Sequence, residues 1–179
     1  MVTVEEIVDI NVLSSLALFK EWADKWKNGQ PSSYVTKEEF LNEEAPLELK
    51  DVTAQSSGSD NIRVRDENFE SLQEDLGFEE GRNAIWYYPN VTMPWHTNSN
   101  HPGVRTYYVF AEGEGIFRWR HPETGEYHNS YDIPGKWVKR VFEVPNDGTL
   151  LWHAVWSGDW RLSIGFNTPT EQRPLEALS

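Results

Sequence analysis

The side chains of this chain that could do chemistry are five histidines, His96, His101, His121, His128 and His153, and an arginine, Arg161, set among apolar neighbours. His153 stands in Trp152-His153-Ala154-Val155-Trp156, where an imidazole is expected to be buried. A lone buried imidazole is more often a satisfied core group than a ligand, so its significance depends on its company. One companion is the segment 93–103, a dense polar loop bracketed by Pro94 and Pro102-Gly103 that presents His96 and Asn98. The other is Arg161-Leu162-Ser163. Successive side chains of a strand point to opposite faces, so Arg161 and Ser163 share one face while Trp160, Leu162, Ile164 and Phe166 share the other. A guanidinium fork suits a two-point grip on a carboxylate, and the hydroxyl adds a hydrogen bond from the same face. His121, beside Pro122 at a turn, and His128, in a polar run, read as surface residues. No cysteine occurs, which excludes disulfides, thiolate metal sites and cysteine nucleophiles.

Strands must position these groups. The segment 149–167, TLLWHAVWSGDWRLSIGFN, is two aromatic-rich runs about a Ser157-Gly158-Asp159 break and predicts a β-hairpin. With a two-residue turn, His153 and Arg161 would part to opposite faces. A three-residue loop pairs Val155 with Arg161 and His153 with Ser163, on one face. Short aromatic or β-branched runs at 84–88, 104–111, 115–120, 137–144, 149–156 and 160–167, with another at 126–131, predict a sandwich, jelly roll or barrel. Upstream, Leu16, Phe19, Ala23 and Trp26 mark a helix over 12–28. Thr36 and Glu39 form a capping box that opens a short helix to 42, and Phe69, Leu72 and Leu76 mark a helix over 68–76 ended by Gly77. The segment 43–60 carries no periodic signal, and 55–60 reads as a polar loop. Helices first and strands after make this an α+β chain, mainly β, with the N-terminal helices packed on one sheet. A single domain over 1–179 is expected: a helical and loop part (1–82), a strand core (83–167) and a polar tail (168–179).

A chain of 179 residues is long enough to bury about two-thirds of its unfolded surface. Its formal charge of −13 repels phosphate backbones, which argues against nucleic acid as a partner, and any anionic ligand must be met by local positive charge. The opening MVTVEEIVDI has no basic segment followed by an apolar run, so neither an export signal nor a membrane partner is indicated and a cytoplasmic location is expected.

In order and separation, His96-X-Asn98, His153 and Arg161-X-Ser163 resemble the iron(II)/2-oxoglutarate-dependent oxygenase superfamily, over residues 84–167. There a His-X-Asp/Glu motif follows an early core strand and a second histidine lies on a late one. An arginine on the last core strand, in some branches as Arg-X-Ser, binds the distal carboxylate of 2-oxoglutarate. Trp95-His96-Thr97-Asn98-Ser99-Asn100, with Pro102-Gly103 and Arg105, is also similar to small oxygenases of phage and marine bacterial type. The resemblance implies a double-stranded β-helix (jelly-roll) core, with iron(II) and 2-oxoglutarate as cofactors. It implies His96, His153 and Asn98 at the metal, Arg161, Ser163 and Arg105 on the co-substrate, and Trp95 and Trp152 at the substrate pocket, where they are equally plausible as core. The implied activity is hydroxylation of a small-molecule or peptidyl substrate. Three ligands on one face of the metal leave positions for co-substrate and oxygen, while the protein orients the reactants and excludes water.

Asn98 departs from that pattern, since the third ligand should be Asp or Glu. An amide carbonyl binds iron less well than a carboxylate and brings no charge. Three readings follow. Asn98 ligates weakly or leaves a water in place; it opens a coordination position, as a small residue does in related halogenases; or the site is degenerate and the protein is a non-catalytic jelly-roll or cupin-like binding domain. Asp132 and Glu112 are the other carboxylates that could substitute, though neither has the loop context. His101 admits a cupin comparison, but the His-X-His of that pattern is missing.

Overall fold

The computed structural model describes residues 1–46 and 61–170; the expected loop at 55–60 and the end of the tail, 171–179, lie outside them. Among the described residues ten strands form two antiparallel sheets: β1 (Thr3–Glu6), β2 (Ile62–Arg63), β3 (Glu80–Tyr87), β4 (Val91–His96), β5 (Gly103–Ala111), β6 (Gly115–Arg120), β7 (Tyr127–Tyr131), β8 (Trp137–Val144), β9 (His153–Ser157) and β10 (Arg161–Thr168). The larger sheet runs β1-β8-β5-β10-β3-β2 and the smaller β4-β9-β6-β7. The architecture is a jelly roll. Strands β1, β2 and β4 add to the runs read from sequence; β1 is exposed along its length and β2 has only two residues, so neither carries an apolar alternation.

Each sheet keeps an outer and an inner phase. On the larger sheet Ala84, Trp86, Leu162, Ile164 and Phe166 point outward and bury Leu16, Phe19 and Ala23 of helix α1 (Ile10–Ala23) and Leu72 of helix α3 (Asn68–Leu76). Helix α1 begins at Asp9, whose carboxylate accepts from the backbone N–H groups of Asn11 and Val12. Helix α3 ends at Gly77, in the left-handed conformation that favours glycine. The short helix α2 (Lys37–Asn42) carries the Thr36–Glu39 capping box and places Phe40 with Trp95, Trp152, Ala154 and Trp156, outside the smaller sheet. The two longer helices therefore back one sheet, and α2 covers the other.

The predicted hairpin at 149–167 is not one. Strand β9 lies between β4 and β6 in the smaller sheet, whereas β10 lies between β5 and β3 in the larger. Residues 158–160 form an arch between sheets, held where Gly158 N–H donates to Glu114 O and Ser157 Oγ donates to Tyr88 O. The physical reason is burial. All of β9 and all but the last residue of β10 are buried, and a strand covered on both faces and flanked on both edges is interior to its own sheet. The phase of His153 relative to Arg161 is thus set by which way each sheet faces, and the parity of the loop does not decide it.

Inside the sandwich Gly165 lies directly opposite Tyr107 on β5. A Cβ at Gly165 would meet Tyr107 Cε1 at 2.5 Å, and the tyrosine ring is stacked on Phe142. Gly165→Ala is therefore expected to cost about 1–3 kcal/mol through overpacking, read from the midpoint of urea unfolding; an unchanged midpoint would show that Tyr107 has room to move.

Candidate functional site

A cavity of about 650 Å³ opens between the sheets, within the roughly 300–1,000 Å³ usual for small-molecule sites. His96 and His153 lie in its wall as direct cross-strand partners on β4 and β9. Val91, Thr92 and Met93 pair in sequence with Ser157, Trp156 and Val155, but three residues of β4 then span two of β9 before His96 meets His153. This β-bulge contains Pro94, which has no N–H to give to a ladder. Without the extra residue Met93 and His96 would face opposite sides; with it both line the cavity while Trp95 turns outward.

The two imidazole centroids are 4.2 Å apart. His96 Nδ1 lies 2.6 Å from Pro94 O and His153 Nδ1 2.9 Å from Leu151 O. A carbonyl can only accept, so each Nδ1 carries the proton and each Nε2 keeps its lone pair. Burial lowers the pKa of His96, and burial followed by the neighbouring His96 pushes His153 well below its ordinary value. Asn98 adopts φ 54°, a left-handed conformation that asparagine tolerates, and its Nδ2 is 3.3 Å from His153 Nε2. A half-turn of that amide exchanges Nδ2 for Oδ1 at the same place.

The cavity floor is a buried charge cluster. Arg140 Nη1 donates to Asp132 Oδ1 (2.9 Å) and Arg161 Nε donates to Asp132 Oδ2 (2.6 Å). Burial alone would raise the carboxyl pKa of Asp132, but the Arg161 and Arg140 guanidinium groups outweigh it and hold the group below its ordinary value. Two cations against one anion leave a net charge of +1. Arg161 Nη1 is buried with no hydrogen-bond partner, an arrangement that costs free energy unless an acceptor fills it. The Tyr87 ring lies 5.1 Å from the guanidinium, and burial pushes its hydroxyl up to about 12. Ser163, two residues along β10, faces the same space.

The structure thus brings together His96, Asn98, His153, Arg161 and Ser163 around one cavity. Arg105 does not join them: it is fully buried beside the cavity, donating through Nη1 to Asn167 Oδ1 and through Nη2 to His101 O (2.7 Å), so that it fastens the loop after β4 to β10. Trp95 is among the residues that line the cavity and also packs with Phe40, Trp152 and Trp156 outside the smaller sheet; Trp152 belongs to that outer core and does not line the cavity. Asp132 serves the two arginines, and Glu112 pairs with Lys27; neither replaces Asn98. Among the described residues no group of three His, Cys, Asp or Glu converges.

Arg140, Tyr87 and the bracing role of Asp132 were not read from the sequence. The signal for Arg140 exists: Val138, Arg140, Phe142 and Val144 form the buried phase of β8, and a charged residue in an apolar phase demands a partner. No comparable signal marks Asp132, which directly follows β7 outside any regular element.

No family model matches the chain, and no curated protein matches it. Among solved structures it is similar to a Pseudomonas putida prolyl-4-hydroxylase, with a TM-score of 0.52 and 14% identity over 93% of this chain and 91% of that one. It is also similar to the Drosophila melanogaster CENP-C cupin domain, with a TM-score of 0.44 and 10% identity over 90% of this chain and 99% of that one. The fold is a double-stranded β-helix. At such low identity the likeness extends to the fold alone.

Two outcomes follow from the burial of these groups. Because the folded values of both histidines lie below the ordinary 6.5, the unfolded chain binds more protons as the pH falls through that value. The metal-free protein should therefore lose stability from about pH 7 to pH 5. Urea midpoints measured across that range should flatten in His153→Gln, and an unchanged slope would clear the imidazoles of responsibility. Asp132→Ala leaves two guanidinium groups without their shared anion and should cost about 3–5 kcal/mol, seen as a large fall in Tm.

Proposed function

We propose that the protein is an iron(II)/2-oxoglutarate-dependent oxygenase that hydroxylates a small-molecule or peptidyl substrate. The observation that carries this reading is the pair of cross-strand imidazoles, each with its Nδ1 proton fixed by a backbone carbonyl and a lone pair on Nε2, that of His153 lying 3.3 Å from the Asn98 amide. Outer hydrogen bonds of this kind orient histidine ligands and fix their tautomer. The donor set fits a divalent metal held by two imidazoles, with the Asn98 amide oxygen as a third, neutral donor and the charge balance completed by an anionic co-substrate. When bound, iron(II) with 2-oxoglutarate and dioxygen supplies the oxidant that hydroxylates a C–H bond.

The chain's own part is positional. His96 and His153 stay neutral and available because burial disfavours their protonation. Arg161 offers its unpartnered Nη1 to the distal carboxylate of 2-oxoglutarate, with Ser163 as a further donor from the same face. Asp132 and Arg140 keep that guanidinium from turning away. Phe117, Phe142 and Val155 wall the interior and restrict water. The cavity chemistry, more than the resemblance in sequence, supports the assignment.

Anaerobic titration with iron(II) and 2-oxoglutarate should develop the weak visible band of the metal-bound keto acid. His153→Ala should abolish it, and Arg161→Gln should weaken 2-oxoglutarate binding by about tenfold or more through loss of a charge-assisted contact. Asn98→Asp should tighten metal binding, since it restores a carboxylate at a position whose backbone aspartate can also adopt. Absence of any band, with no thermal shift from either ligand, would leave a non-catalytic binding domain.

A further inference from the structure

Among the described residues the cavity lining holds four arginines, Arg63, Arg82, Arg140 and Arg161, and no carboxylate. Exposure orders them by depth. Arg140 and Arg161 are almost wholly buried at 1% and 2%, whereas Arg82 is half-buried and Arg63 is exposed. The inner pair shares Asp132. Among the described residues the outer pair makes no ion pair. Glu80, an acid that feels the Arg82 charge, is itself engaged by His101 and Asn167. A chain of net charge −13 has thus placed two arginines with no ion pair among the described residues at the mouth of this cavity.

The backbone shows how Arg82 comes to be there. Along β3, Asn83 pairs with Gly165 and Gly81 with Phe166, so Arg82 is the extra residue of a bulge with no partner on β10. Gly81 faces outward, where a Cβ would overlap Phe69 and Gln73 of α3, and Asn83 faces the cavity. Regular alternation would send Arg82 outward with Ala84 and Trp86, onto the helices. The bulge instead brings it to the cavity beside Asn83. Arg63 lies opposite Ile85, whose side chain is in the inner phase, so the short β2 delivers the second cation to the same mouth. Tyr107 lines the wall of the same cavity.

We propose that this mouth is a second anion site, separate from the Arg161 floor, and that the substrate is a small organic anion. Arg82 and Arg63 would hold its carboxylate or phosphate group while its uncharged part reaches toward His96 and His153. As the substrate class for the site, this rests on the oxygenase reading; as a binding site, it does not. The volume of about 650 Å³ leaves space beyond that of 2-oxoglutarate alone, and guanidinium forks match both oxyanions.

Calorimetric titrations at saturating manganese(II) and 2-oxoglutarate, which fill the floor, test it with matched probes: phenylacetate against phenylacetamide, and phenyl phosphate against phenol. At least one charged probe should bind about tenfold more tightly than its neutral counterpart, and the comparison of the two tells carboxylate from phosphate. The preference should collapse in Arg82→Gln/Arg63→Gln. In the parent protein it should shrink as salt is raised, a readout that does not depend on the variant folding. Equal binding of charged and neutral probes, binding of neither anion, or a preference that survives both the double substitution and high salt would overturn the proposal. If the parent protein takes up no 2-oxoglutarate, the oxygenase reading fails by itself. The same titrations on the protein alone then decide the anion site: a preference lost in the double variant upholds it, and one that persists there assigns the anion to Arg161.

Discussion

The cavity depends on how two buried arginines are held in place between the sheets. Arg140 comes from β8 and Arg161 from β10, both in the larger sheet, while Asp132 directly follows β7 in the smaller. The cluster therefore ties one sheet to the other, and Arg140 Nε also donates to Ser130 Oγ of β7. Burying such a cluster brings little net stability, because desolvation offsets most of the attraction. Its effect is geometric. Gly115 must be glycine for Asp132 to reach in, since any Cβ there would overlap Asp132 Oδ2. The arginines in turn cannot fold back to solvent, so a positive floor is built into the packing.

Two departures from regular β geometry supply what the floor lacks. A strand alternates, and a site assembled only from alternate residues is restricted to one phase. The bulge before His96 and the bulge at Arg82 each insert one residue, and each shifts the phase of its strand. The first gives the cavity an imidazole beside Met93; the second gives it a cation beside Asn83. In both strands the residue on the other side of the bulge, Trp95 or Gly81, continues the outer phase under a helix. The outer packing of each sheet and the inner lining are thereby satisfied by one short stretch of chain.

Much of the architecture was legible because the signals were local. The capping box at Thr36, the stop at Gly77 and strands β6 and β8 follow from propensity, turn chemistry and apolar runs, and they stand where the sequence places them. The association of His96, His153 and Arg161 was legible from residue type and order. What remained hidden was non-local. A Ser-Gly-Asp break between apolar runs is compatible with a hairpin or with an arch, and only the burial of β9 and β10 in separate sheets distinguishes them. Trp95 and Trp152 carried no information on which face they take, because aromatic rings suit a pocket and a core alike. Arg105 resembled an anion contact, yet its partners, Asn167 and His101, lie sixty-two and four residues away in the chain.

The arch between β9 and β10 also bears on how the molecule comes to exist. Strand β10 is the last of the described strands and sits between β5 and β3, near the middle of the larger sheet. Until residues 161–168 leave the ribosome, β3 and β5 have no common neighbour, and each presents an unpaired edge lined with aromatic side chains. Such edges template association between chains. Assembly of this sheet therefore waits for β10. The interval before β10 inserts is when the nascent protein is most exposed to aggregation, and a chaperone would have most to protect then.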